Sequence, residues 1–563
     1  LNPFLYRDPN DLSAEPVVVL PYGGFYNTAT NKMLNYVVRN SLSYTKVWDT
    51  DRTHELSVLG GMEIRSTDRR VNSTTGYGYQ YDGGGVVSLD PKLMEMLVYR
   101  QSPYYMMEDT YERNAAFYAN ADYTFDRRYS ISASARYDGS NQLGRGAAKR
   151  WLPTWTFAGK WIISNEAFME NASRIVDFMS LRASYGLTAN IPPSASNAMA
   201  LYYNQELYRP GNAEVGITLA DLQNTELTWE KNYQLNVGFD LTLFGGRLDF
   251  NVDYFNRQGF DLISQIKVAG IGGFMWKNAN YADLDSQGVD ITLGGKMIST
   301  KDWTWSAHFT FGYSKNIIRN AKNSPEVFEL VRQEGGNKNN YPVNSLFSIP
   351  FAGLNPETGI PMFYNEKGEI GYDCYMQGIE TDFLKYEGQI DPKYTGGLNT
   401  TLRWKSLSMN LFFTFQAGNV IRLNPVFSSS YSDITALPNE FKDRWIMSGD
   451  EQRTDIPAIA DNLMQKLYLS SAYPYNNYNY SSARVAKGDF IRLKSLSINY
   501  ELPSALVRKS RVFKRAAVRL TAKDLWLMYS DKALNGQDPE FFNTGGVAMP
   551  VQTQFVLSLD LGF

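Results

Sequence analysis

The sequence has little cysteine and histidine and no long apolar run. Its single cysteine, Cys374, excludes an internal disulfide and a thiolate cluster for a metal. The only histidines, His54 and His308, leave few bases for nucleophilic catalysis. No stretch approaches the roughly 20 apolar residues of a membrane-spanning helix. A chain of this kind that crosses a membrane must therefore cross it as strands.

Neither sign of charge is in excess. The 563 residues contain 55 Lys+Arg and 58 Asp+Glu, which leaves a net charge of -3. Such a balance gives no net positive potential to attract the phosphates of a nucleic acid, so nucleic acid is not an expected partner. No linker, block of like charges or low-complexity tract divides the chain, and one large architecture is expected.

Aromatic residues are abundant, with 38 Tyr, 31 Phe and 11 Trp, and they recur with a period of two. Along 117–125, Phe117, Ala119, Ala121, Tyr123 and Phe125 lie on one side of an extended strand and polar residues lie mostly on the other. The same alternation follows in 129–138, 233–243, 303–314 and 407–417. These segments have the length of tilted membrane strands, about 10 to 14 residues, and rings lie at their ends as in interfacial girdles.

The last segment, 551–563, alternates in the same way and ends on Phe563. A terminal aromatic of this kind resembles the assembly signal of outer-membrane barrels in Gram-negative bacteria. With Phe563 on the periplasmic side, short turns inside should alternate with long loops outside, which we place at 67–112, 188–227, 259–282, 317–392, 419–487 and 524–550. The pattern predicts an antiparallel all-β transmembrane barrel with about 15 strands in this chain. Because barrels made of one bacterial chain have even strand numbers, further strands are expected ahead of Leu1.

Several short motifs resemble the SusC/RagA family of TonB-dependent outer-membrane transporters. In chain order they lie at 136–140, 181–186, 228–231, 253–257, 288–291, 391–398, 441–445 and 488–494, and they include Arg-Tyr-Asp-Gly-Ser and Asp-Pro-Lys-Tyr-Thr-Gly-Gly-Leu. Their order and spacing cover nearly the whole chain. Two departures are Leu143, where the family usually has Phe, and Ala189-Asn190, which replaces Gly-Asn.

The resemblance implies a 22-stranded barrel of which residues 1–563 are the carboxy-terminal part. A plug domain, a TonB box and the first strands would precede it. The resemblance further implies import of glycans or oligopeptides, driven through TonB, with a SusD-like lipoprotein covering the barrel from outside. It places the protein in the outer membrane of a Gram-negative bacterium and implies no catalysis.

Two other functions remain open at this point. A siderophore or vitamin importer would have the same general fold without a lipoprotein lid, and an outer-membrane barrel enzyme such as a protease or lipase would need a polar cluster at the loop rim. The segment Asp283 to Gly288 resembles the start of a calcium loop, but Gly294 stands where the closing Glu is required. No metal or cofactor is therefore expected.

Aromatic rings in the external loops are the candidate binding residues, because flat rings with polar tips suit sugars, peptides and protein interfaces. These candidates are Tyr77, Tyr79, Tyr81, Tyr104, Tyr105, Trp276, Phe441, Trp445, Tyr473, Tyr475, Tyr478 and Tyr480. The segment 438–445 is a predicted short helix with Phe441 and Trp445 on one face. The two longest loops, 317–392 and 419–487, are expected to contact the lipoprotein and to form part of the substrate chamber.

Overall fold

A computed structural model describes most of the chain. The described residues are 4–8, 11, 13–20, 23–49, 52–82, 85–86, 90–99, 104–144, 146–191, 201–209, 212–219, 222, 224–270, 275–428, 431, 437, 439–459, 473–509, 512–542 and 552–562. The predicted assembly signal at Phe563 and the first residue of the predicted 438–445 helix lie outside them.

In the described part of the chain, fifteen long strands form one antiparallel sheet in which consecutive strands pair with each other. They are β1 (Gly24–Val47), β2 (His54–Gln80), β3 (Tyr105–Phe125), β4 (Tyr129–Ser140), β5 (Trp151–Ile162), β6 (Val176–Asn190), β7 (Glu230–Leu243), β8 (Leu248–Lys267), β9 (Trp276–Ser299), β10 (Trp303–Arg319), β11 (Tyr394–Trp404), β12 (Leu407–Ala417), β13 (Phe490–Glu501), β14 (Arg515–Tyr529) and β15 (Gln554–Gly562). The predicted count of about 15 strands is confirmed.

The register keeps polar and apolar side chains on separate faces of the sheet. Between β10 and β11, Ser306 pairs with Thr401 and His308 with Asn399, whereas Trp305 pairs with Leu402. Because successive side chains point to opposite faces, each strand presents one polar and one apolar surface. The polar face carries ion pairs such as Arg182 with Asp253 at 2.6 Å. This arrangement suits a wall with lipid on one side and water on the other.

Two of the predicted long loops are wrong. β2 continues to Gln80 and β3 begins at Tyr105, so most of 67–112 is strand, and β8 and β9 likewise occupy most of 259–282. The backbone ladder continues beyond the apolar belt because polar side chains on both faces are stable in water. Arg70 and Asp109, for example, form an ion pair at 2.6 Å across β2 and β3. Tyr77, Tyr79, Tyr105 and Trp276 consequently lie on strands and not in loops.

The connections at the opposite end of the strands are short, as expected. Gly245 and Gly246 have φ angles of +67° and +72°, which glycine adopts without steric cost. Two links are longer. The link between β5 and β6 was the predicted exception and contains the 3-10 helices Ile163–Asn165 and Ala167–Ala172, and the link between β13 and β14 is equally long and contains the helix Ser504–Lys509. Glu166 fixes the first of these links by accepting hydrogen bonds from Arg128 and from the Trp161 indole.

The helices are short and lie between the strands. They are α1 (Pro91–Tyr99), α2 (Ala147–Arg150), α3 (Val327–Val331), α4 (Pro474–Asn479) and α5 (Ser504–Lys509), with further 3-10 helices at Asn439–Asp443, Asp450–Gln452, Ser482–Arg484, Lys532–Leu534 and Pro539–Phe541. In the described part of the chain, no helix has both the length and the apolar character that a membrane span requires.

The main hydrophobic core lies outside the sheet, in the two longest connections. We call residues 320–393 and 418–489 together the external unit. Its short strands are Ser345–Ser348 with Lys385–Gln389, Phe351–Leu354 with Pro361–Tyr364 and Ile370–Gly371, and Val420–Arg422 with Val485–Lys487. Smaller strands elsewhere are Leu5–Tyr6 with Val17–Val18, Gly85–Val86, and Leu201–Arg209 with Asn212–Leu219.

Candidate functional site

The external unit has one core to which both connections contribute. Its buried residues are Val327, Leu330, Val331, Phe347, Ile349, Phe363, Cys374, Met376 and Leu384 from the first connection and Phe427, Phe441 and Tyr478 from the second. Ile349 pairs with Ser481 in a parallel bridge that joins the two. Because neither connection buries these side chains alone, the two fold as one unit.

Arg422 ties the two connections together from inside. Its guanidinium donates to the carbonyl oxygens of Phe347, at 2.6 Å, and Ser481, at 2.8 Å, and to the hydroxyl of Ser348 at 2.9 Å. Burial lowers the pKa of Arg422 to about 9, although the negative charge of the nearby Glu387 acts to raise it. The group therefore stays charged at neutral pH, and its hydrogen bonds depend on the two connections staying together.

A second buried arginine lies at the edge of the same core. Arg484 binds both carboxylate oxygens of Glu440, at 2.8 and 2.9 Å. Its guanidinium lies 4.9 Å from the ring centroid of Phe427. Paired in this way, a charge is tolerated in an apolar environment.

The last external connection, between β14 and β15, is held against the polar face of the wall. Arg492 of β13 pairs with Thr414, whose side chain lies on that face. The Arg492 guanidinium binds the two carboxylate oxygens of Asp538 at 2.5 and 2.6 Å and Glu540 at 2.9 Å. Asp531 also accepts a hydrogen bond from the backbone of Lys487. Residues 530–542 thus pack beside the external unit over the polar face.

A cavity of about 330 Å³ lies between the external unit and this last connection. It is lined by Leu423, Asn424, Val426, Leu437, Asn439, Glu440, Arg484, Ala533, Leu534, Asn535, Gln537 and Phe542. The lining combines aliphatic side chains, four amides and one ion pair. It can bury an apolar group while hydrogen-bonding polar groups attached to it.

The structure brings six of the predicted binding residues together in the external unit, four of them in its interior. Tyr478 is 1% exposed and Tyr475 3%, and Phe441 and Trp445 are also buried. The Tyr475 hydroxyl donates to the Ala458 carbonyl at 2.8 Å, and burial raises the pKa values of Tyr475 and Tyr478. These four rings therefore stabilise the packing of the external unit and are not available to bind a ligand at its surface.

Two other predicted rings of this region lie nearer its surface. Tyr473 is 70% exposed, and Tyr480 packs its ring edge against Phe328. Tyr473 is therefore the ring of this group that is most accessible to a partner.

The predicted 438–445 helix is wrong in form. A 3-10 helix covers Asn439–Asp443, and Phe441 and Trp445 enter different clusters, the first with Phe427 and the second with Leu354. The tighter winding of the 3-10 helix and its early end separate the two rings, so they do not share one face.

The remaining predicted rings lie elsewhere. Tyr77 is buried against α1, Tyr79 stacks on Tyr26, and the hydroxyl of Tyr81 donates to the Phe25 carbonyl. Tyr104 and Tyr105 are exposed at the start of β3. Trp276 lies in a separate cavity of about 320 Å³ with Lys267 over its ring. Trp276 meets the external unit, since Asn323, Glu329 and Asn337 also line its cavity. The five tyrosines lie around β1, β2 and β3 instead, and the role of each ring remains a prediction.

Sequence reasoning missed the buried charges Arg422, Arg484, Arg492 and Asp538. Each is a common surface residue type, and no local pattern marks it as buried. Only Arg492 could have been singled out from the sequence, because it lies within the family-like motif Gly-Asp-Phe-Ile-Arg-Leu-Lys at 488–494. Only the packing of distant segments shows which of these groups lose contact with water.

The described residues contain no group of three or more His, Cys, Asp or Glu side chains arranged to hold a metal ion. His54 hydrogen-bonds the Tyr123 hydroxyl at 2.7 Å. His308 lines a cavity of about 210 Å³ on the polar face of the wall, beside Ser306 and Asn399. The two histidines lie on different strands and form no common site.

We expect Gly359→Ala to destabilise the external unit. Gly359 has a φ of +65°, and an added Cβ would lie 2.4 Å from the Trp445 ring and 2.7 Å from Ala458. Overpacking of this kind costs about 1–3 kcal/mol. Gly368→Ala is the matched control, because Gly368 has a φ of +76° with open space around its Cα. Hydrogen exchange of 345–364 should accelerate in the first variant more than in the second, and equal rates would contradict the packing.

The chain is similar to a family model, to curated relatives and to solved structures. A family model described as TonB dependent receptor-like, beta-barrel matches residues 18–431. The TonB-dependent receptor P3 of Formosa agariphila is 26% identical over 93% of this chain, and the TonB-dependent receptor SusC of Bacteroides thetaiotaomicron is 24% identical over 41%. The chain corresponds to 51% of the first relative and 22% of the second.

Among solved structures, the RagAB peptide transporter matches with a TM-score of 0.78 at 22% identity. That match covers 96% of this chain and 56% of the other. The likeness confirms the predicted antiparallel barrel fold. The chain therefore spans only about half the length of the TonB-dependent receptor P3 and of the solved RagAB chain.

Proposed function

Because the chain belongs to the family of TonB-dependent receptor-like β-barrels of the outer membrane, we propose that the whole protein is a SusC-like importer driven through TonB. It takes up glycans or oligopeptides too large for porins. This chain supplies barrel wall and external loops. The observation that carries the proposal is the combination of a two-faced, fifteen-stranded wall with a folded external unit at one end.

We propose that a SusD-like surface lipoprotein covers the external unit. The relative named SusC and the solved RagAB complex support such a pairing. Large apolar side chains remain exposed on the unit and would suit a protein partner. The most exposed are Tyr375, Ile379, Ile446, Met447 and Tyr473.

We further propose that preceding strands close the barrel and that a plug domain fills it, as the sequence-based domain assignment predicts. Among the described residues, β1 pairs only with β2, and β15 only with β14. Unpaired strand edges leave backbone donors and acceptors without partners, which is costly in a membrane. Additional strands between β15 and β1 would satisfy both edges.

Purification of the tagged full-length protein from its native membrane should bring down a surface lipoprotein in a fixed ratio. Tyr473→Ser together with Met447→Ser should reduce that recovery, because both side chains are exposed on the external unit. Heat-modifiable gel migration should show an intact barrel in the variant. A siderophore or vitamin importer, the alternative, would purify without a lipoprotein.

Uptake measured in cells with and without a working TonB system checks the transport proposal itself. Loss of uptake on TonB removal is the expected result. Uptake that is independent of TonB would contradict the proposal.

A further inference from the structure

The cavity between the external unit and residues 530–542 has the chemistry of a peptide site. Its apolar wall combines Leu423 and Leu437 with Leu534 and Phe542. Its volume of about 330 Å³ lies at the lower end of the range for small-ligand pockets. We propose that this cavity binds an apolar side chain of an oligopeptide together with the adjoining backbone. The inference rests on the proposed import function and narrows its substrate class.

Amide side chains around the cavity match a peptide backbone. Asn424, Asn535 and Gln537 each carry a carbonyl acceptor and an NH₂ donor, although the Asn424 carbonyl already accepts a hydrogen bond from Gln333 at 3.1 Å. A peptide group carries one donor and one acceptor, and both need partners once they leave water. The amides are already close to one another, since Asn424 donates to Gln537 at 3.5 Å. This long contact can give way to hydrogen bonds with a bound backbone.

Arg484 is the one cation among the described residues that line the cavity. The residue is 3% exposed, and its Nε has no acceptor among the described residues. Glu440 and the Asn424 carbonyl take up the other guanidinium nitrogens. The Nε is itself buried, so Arg484 contributes to the cavity wall as a cation that Glu440 and the Asn424 carbonyl hold in place.

The cavity does not suit a glycan equally well, because the lining that the structure describes contains no exposed ring. Among the described lining residues the only aromatic one is Phe542, which is 3% exposed and packs with Leu534 and Ile421. Sugar faces pack on flat, accessible rings. Trp276 has an accessible ring but lies in the other external cavity, where the Lys267 ammonium stands 5.4 Å from the ring centroid.

The test uses the full-length protein purified with its lipoprotein partner. Its probes are hexapeptides that differ only in a central Leu or Asp, and maltoheptaose as a neutral oligosaccharide. Titration calorimetry should show binding of the Leu peptide, binding of the Asp peptide weaker by about tenfold or more, and no binding of maltoheptaose. Leu437→Asp should weaken binding of the Leu peptide by a similar factor, because it places a charge in the apolar wall.

Leu506→Asp is the matched control. Leu506 lies on α5, between β13 and β14 at the other end of the wall, and is exposed as Leu437 is. Wild-type affinity in Leu437→Asp, or binding of maltoheptaose alone, would overturn the peptide assignment. TonB-dependent uptake of an oligosaccharide would overturn it while leaving the import proposal intact. Absence of all TonB-dependent uptake would instead refute the import proposal.

Discussion

Phe309→Arg is expected to cost about 2–4 kcal/mol of barrel stability, the usual cost of a cation on the lipid face near mid-membrane. Phe309 lies on the apolar face of β10, where its ring stacks on Phe415 at 6.2 Å. No water reaches a charge placed there. The substitution also removes the ring contact that reaches across β11 to β12.

His308→Arg is the control, one residue along the same strand. His308 lies on the polar face beside Ser306 and Asn399, in a cavity of about 210 Å³. A guanidinium there remains solvated, so the expected cost is much smaller. Equilibrium unfolding of the full-length protein in lipid vesicles measures both variants. Equal costs, or a greater cost at 308, would mean that the two faces of β10 are reversed.

Arg492→Met is expected to release residues 530–542 from the wall. Arg492 and Asp538 are both buried, and the substitution leaves the Asp538 carboxylate without its cation. Breaking a buried ion pair by removing one partner costs about 3–5 kcal/mol. Asp538 also accepts a hydrogen bond from the Glu540 backbone at the start of a 3-10 helix, so a shift of Asp538 disturbs that turn as well.

The effect should be local, because the strand ladder of β13 with β12 and β14 does not depend on the Arg492 side chain. Limited proteolysis within 530–542 should accelerate while heat-modifiable gel migration stays unchanged. Arg319→Met is the control. Arg319 pairs with Asp285 at 3.2 Å with both side chains about half exposed, and such pairs are worth about 0–1 kcal/mol. Equal proteolysis in the two variants would show that the buried pair does not hold the connection.

Much of the wall was predictable from the sequence, because the two-residue alternation of a membrane strand can be read from residues close together in the chain. The alternation along 303–314 assigns Trp305 and Phe309 to one face and Ser306 and His308 to the other, and the register of β10 with β11 agrees. The tight turns at Gly245-Gly246 and Lys405-Ser406 were visible for the same reason. Period and turn chemistry depend on neighbouring residues only.

The ends of the strands were not predictable in this way. β2 and β3 continue as a ladder well beyond the apolar alternation, and Arg70 and Asp109 pair across it. In water a polar strand and a polar loop have the same composition. The backbone partner on the next strand decides between them, and that partner lies about 40 residues away in the chain.

The sequence by itself determined the class of protein, because two-residue alternation, ring placement and the ordered motifs persist over the whole chain. Only the tertiary structure decided which external residues can meet a ligand. Tyr475, Tyr478 and Trp445 look like surface rings in a loop, yet they are buried, whereas Arg422 and Arg484 are charged and equally buried. The physical reason is that burial in the external unit comes from contacts between two connections more than 100 residues apart, such as Ile349 with Ser481. No local pattern encodes such contacts.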